Sequence, residues 1–67
     1  MNEQESINRA YGDTVETIFR VFFSEFTSAH GNSEGEQGAK ERFQKGIVHA
    51  RHVRDMALAL LSAMNHA

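Results

Sequence analysis

At 67 residues the chain makes at most one domain, and a hydrophobic core of that size is marginal unless a disulfide, a metal or self-association supports it. It contains no cysteine, which removes the first of those supports and any dependence on an oxidising compartment. Hydrophobic residues at 40% and charged residues at 24% fit an ordered chain rather than a disordered one, and the formal charge of −2 argues against a dedicated polyanion binder.

No apolar run approaches the ~20 residues of a membrane span. The beginning, Met1-Asn2-Glu3-Gln4-Glu5, is acidic and polar, the opposite of a secretory leader. The expectation from these features is a cytoplasmic chain without a membrane association. The charge is unevenly divided. Residues 1–38 carry seven acidic and two basic side chains, and residues 39–67 carry five basic and two acidic ones. In an antiparallel pair of helices this difference serves as attraction between the two halves.

The first half places Ile7, Tyr11, Val15, Ile18, Phe19, Phe22, Phe23, Phe26 and Ala29 at steps of three and four residues. That periodicity predicts an amphipathic helix over about 3–30. Asp13 and Glu16 after Gly12 could open a shorter helix, but Ile7 and Tyr11 continue the same stripe, so Gly12 is read as an interior glycine costing about 1 kcal/mol. The apolar arc is wide enough to contact more than one neighbour.

A glycine-rich break follows, with no proline anywhere in the chain. Gly31 suits the left-handed conformation just past a helix end, and His30 would complement the dipole of the last turn. The turn is expected at 31–34. Ser33 with Glu36 reads as a capping box, and Glu34 and Glu36 put negative charge at the start of the next helix. Gly35 and Gly38 weaken that first turn, so firm helix is expected only near Ala39.

The second helix, about 35–65, carries Ala39, Phe43, Gly46, Ile47, Ala50, Val53, Ala57, Leu58, Leu60, Leu61 and Met64 on one arc. Within it, Gly46, Ala50, Val53, Ala57, Leu60 and Met64 step by four and three without a miss, the pattern of a heptad seam. Small residues on this seam leave room for Phe19, Phe22, Phe23 and Phe26 of the first helix. The expected fold is all-α: a single-domain antiparallel hairpin over 1–67, completed as a homodimeric four-helix bundle. Phe19, Phe22, Phe23, Phe26, Phe43, Gly46, Ala50, Val53, Ala57, Leu60 and Leu61 form its core and dimer seam.

Arg54 is the residue out of place, since it falls inside the apolar arc and must be paired or reach water along its stem. A hairpin turning near Asn32 sets it opposite Tyr11, with Asp13 one turn away. Stacking on Tyr11 or an ion pair with Asp13 is the structural expectation, and an anion or partner contact the functional one. His49 and His52 are neighbours on the helix surface, yet zinc wants three or four ligands and Lys45 beside them repels a cation. No metal and no cofactor is expected. An interfacial histidine pair would instead couple association to pH.

Lys40, Arg42, Lys45, Arg51 and Arg54 make the second helix basic, which raises an RNA-binding bundle as an alternative. They spread around the helix, and the spacings Glu41–Lys45 and Arg51–Asp55 neutralise part of them. Nothing resembles a catalytic constellation or a phosphate-cradling loop, so no enzyme is expected. Val48 beside Arg51, His52 and Asp55 has the mixed apolar and charged composition of a protein-binding patch, to which Arg54 at the open end would add. The sequence thus points to a small regulatory or adaptor protein acting by protein–protein contact. Its size and class match the inhibitors that phages and mobile elements encode.

Overall fold

The computed structural model of the chain describes residues 2–65; Met1, His66 and Ala67, and with them the two ends of the 1–67 domain, lie outside the described residues. Two helices, α1 (Glu3–Ser28) and α2 (Ser33–Asn65), account for all the regular structure among those residues and pack against each other as a hairpin.

α1 starts where the sequence places the longer of the two alternatives. Asn2 is its N-cap: the Asn2 side chain accepts from the Glu5 backbone N–H at 2.8 Å, and Glu3 and Glu5 add negative charge to the first turn. The helix runs unbroken through Gly12, where an added Cβ would meet nothing within 4 Å. Gly12→Ala should therefore raise stability by about 0.5–1 kcal/mol, because alanine loses less backbone freedom on folding. Thermal melts of the two proteins check this, and a lower melting temperature for the alanine variant would contradict it.

The turn differs from the expectation in its chemistry. α1 ends at Ser28 with Ala29 as C-cap, so His30 lies in the turn, its N–H on the Thr27 carbonyl at 3.2 Å, and not in the last helical turn. Gly31 takes φ +84°, the left-handed conformation that glycine alone adopts without cost. The cap of α2 is Asn32 and not Ser33. Asn32 Oδ1 accepts from the Gly35 N–H at 3.1 Å, and the Glu36 N–H donates to the Asn32 carbonyl at 3.0 Å. With the cap one residue earlier, α2 begins at Ser33 and includes Gly35 and Gly38. Gly35 is needed there for space, since a Cβ would lie 2.8 Å from the Ala29 Cβ.

Contacts then step along the two helices in antiparallel register. Arg42 meets Glu25 (2.9 Å), Phe22 meets Phe43 (ring centroids 4.9 Å apart), Gly46 faces Ile18, and Arg54 lies over Tyr11. The result is long and flat, with Cα extents of 54 × 19 × 6 Å. Its radius of gyration is 15.8 Å, whereas a compact chain of this length would have about 11 Å. Two helices side by side have nothing above or below them. Among the described residues, only Ala39 and Ala50 are buried.

Candidate interaction surfaces

The flatness of the hairpin gives it two broad faces of different chemistry. On one, a groove of about 480 Å³ runs between the helices. Ile7, Ala10, Tyr11, Thr14 and Ile18 form one wall, and Gly46, His49, Ala50, Val53, Arg54 and Ala57 the other. It continues towards the turn as a smaller depression, about 180 Å³, where Thr17, Val21 and Phe22 face Arg42, Phe43 and Gly46. The threonines suit this lining because their hydroxyls are used up locally. Thr14 Oγ1 donates to the Ala10 carbonyl at 3.0 Å and Thr17 Oγ1 to the Asp13 carbonyl at 3.1 Å, which leaves the methyl groups for the groove.

Charge enters this face at two places, each already paired. Arg54 has its guanidinium carbon 4.4 Å from the Tyr11 ring centroid and donates to Asp55 Oδ1 at 3.0 Å. The stacking expected from the sequence is present; the carboxylate partner is the adjacent Asp55 rather than Asp13. At the turn end, the Arg42–Glu25 bridge closes the depression.

On the other face the aromatic arc of α1 meets the charged flank of α2. Lys40 Nζ lies 5.9 Å from the Phe26 ring centroid. Phe19 and Phe23 are 52% and 60% exposed, their rings in contact along the helix at 6.2 Å. The phenylalanines therefore do not enter the small-residue seam as a set. Ile18 takes the space over Gly46, Phe22 turns inward to Phe26 and Phe43, and Phe19 and Phe23 stand outside. Of the seam on α2, Gly46, Ala50 and Ala57 are covered in part by α1, whereas Val53, Leu60 and Met64 are exposed. Leu61 is half-buried, in the polar cleft at the open end with Asn2, Glu3, Gln4, Leu58, Ser62 and Asn65.

The five residues expected to contact a partner do not form one surface. Val48, Arg51, His52 and Asp55 are all exposed and recur at three- and four-residue steps on the outer flank of α2. Arg54 belongs instead to the space between the helices. His52 shares an open hollow with Gln44, Lys45, Val48 and His49, while His49 also reaches the groove on the other side. Among the described residues, no group of three or more His, Cys, Asp or Glu side chains could hold a metal ion. No described helix is long and apolar enough to cross a membrane.

What the two faces add up to is an excess of surface. The chain exposes 5250 Å², about 1,000 Å² more than the roughly 4,250 Å² that a 7.5 kDa monomer would normally show. Among the described residues, eight large apolar side chains, from Phe19 to Met64, are more than half exposed. Searches with this chain match no family model, no curated protein and no solved structure.

Proposed function

We propose that this hairpin is the protomer of a homodimeric four-helix bundle and acts as a small regulatory or adaptor protein by binding a second protein. The observation that carries the reading is the surplus of accessible surface, which includes eight large apolar side chains more than half exposed among the described residues. About 1,000 Å² per chain is the amount that one side of a stable protein–protein interface buries, and it is spread over a slab too thin to enclose it.

A second contact surface is needed for the regulatory role, and Val48, Arg51, His52 and Asp55 supply it. They combine an exposed apolar side chain with both signs of charge on one helix flank, the composition of an interface rim around a small anchor. RNA binding receives less support. Of the five cations of α2, Arg42 is bound to Glu25, Arg54 to Asp55 and Tyr11, and Lys40 lies over Phe26. A polyanion would have to compete for them.

Two measurements test the reading. Sedimentation equilibrium at micromolar concentration should give twice the 7.5 kDa chain mass. Affinity capture from the native host should retain a protein with the wild-type chain that is lost with Val48→Asp and Arg51→Glu, both of which leave the mass unchanged. A monomer, or a retained set indifferent to both substitutions, would overturn it.

A further inference from the structure

We infer that the second copy of this chain seats on the groove face, with Val53, Leu60 and Met64 as its knobs, and that the Phe19–Phe23 side of the hairpin stays outside the dimer. The assignment rests on the dimer proposed above and says which of the two faces makes it.

Three observations favour the groove. The first is the incompleteness of the seam. Gly46, Ala50, Val53, Ala57, Leu60 and Met64 form an unbroken heptad pattern, yet α1 covers only its small members, and Val53, Leu60 and Met64 are 51%, 58% and 67% exposed. A seam that is small towards the turn and large towards the open end is complete only when a further helix lays its own knobs into it. A second hairpin, with the same pattern inverted by a two-fold axis, places large residues against small ones.

The second observation is electrostatic. Each charge bordering the groove has its partner inside the same chain: Arg54 with Asp55, and Arg42 with Glu25. Covering this face therefore strands no unpaired ion. The opposite face carries Lys40 over the Phe26 ring, and a two-fold copy seated there would take that ammonium out of water against the ring alone.

The third is area. The groove face combines the exposed Val53, Leu60 and Met64 of the seam with Val21, 53% exposed, and the apolar wall of α1, so it offers a continuous apolar surface along both helices. The small residues let the two slabs approach to the 8–10 Å typical of packed helices.

Because the chain has no cysteine, single thiols report burial cleanly. Val53→Cys, Leu60→Cys, Phe23→Cys and Val48→Cys are each treated with a maleimide at a concentration where sedimentation shows dimer, and again on dilution to monomer. The thiols at 53, in the groove, and at 60, on the same seam of α2, should react about tenfold more slowly in the dimer, following the fraction of free chain, while those at 23 and 48 react at one rate throughout. Protection at 23, or free reaction at both 53 and 60 in a sample that sediments as a dimer, would overturn the face assignment and leave the dimer standing. Monomer mass for the wild-type chain at every concentration would overturn the dimer itself.

Discussion

The melting temperature of this protein should rise with its concentration, by about 10 °C for a hundredfold increase. The reason lies in how little the hairpin encloses: Ala39 and Ala50 are the only buried ones among the described residues, and the apolar seam is half uncovered. If that seam is satisfied only by a second copy, folding and association are one equilibrium, and mass action enters the stability directly. A hundredfold change in total chain shifts that equilibrium by about 2.7 kcal/mol per dimer. With an unfolding entropy of about 2.1 cal/mol/K per residue over two chains, the midpoint moves by about 10 °C. Circular dichroism melts at the two ends of this range measure it. An invariant midpoint would mean that the lone hairpin is stable, and the surplus surface would need another explanation.

The sequence makes the two helices legible because nothing in it competes with them. Apolar residues recur at three and four from Ile7 to Ala29 and from Ala39 to Met64, and no proline intervenes. Gly31 could be read as the residue past the first helix, and that one position fixes the antiparallel register, so Arg54 over Tyr11 followed from counting outward from the turn. The exact cap was less visible. Asn32 and Ser33 are adjacent and nearly equal as N-caps, and a difference of tenths of a kcal/mol in local hydrogen bonding moves the helix start by a residue.

The side of each helix that turns inward was harder still. The arc of α1 from Ile7 through Phe23 is broad, and a wheel assigns its centre only loosely. In the hairpin, inter-helix packing turns Ile18 and Phe22 to α2 and leaves Phe19 and Phe23 outside, a rotation of a fraction of a turn. That rotation converts one expected seam into two distinct surfaces. The threonines of the groove gave a signal that composition hides. Thr14 and Thr17 read as polar, yet each bonds to the carbonyl four residues before it and so can line an apolar wall.

Ala39→Leu should be the most damaging single substitution in the chain. Ala39 has no exposed surface, although its neighbours on both sides are open to solvent or half-buried. Continuing the register past Phe22–Phe43 and Glu25–Arg42 places it opposite Phe26, whose ring is held between Phe22 and Lys40. The nearby turn makes this end of the hairpin the least able to spread, because Gly31 and the Asn32 cap tie the helices together there. Three further carbon atoms must therefore displace Phe26 or part the helices, at a cost of about 1–3 kcal/mol. In a chain of marginal stability that is a large share of the total, and loss of the Phe22–Phe43 contact would remove the rest of the aromatic cluster. Ala59→Leu, at an exposed position of the same helix, adds the same atoms without crowding and should leave the melting temperature within a few degrees. The contrast separates overpacking from a change in helix propensity, which is nearly equal for leucine at the two sites. Equal melting temperatures for both variants would show that the turn end yields, and that the helices are held together further along, at Ile18–Gly46 and Tyr11–Arg54.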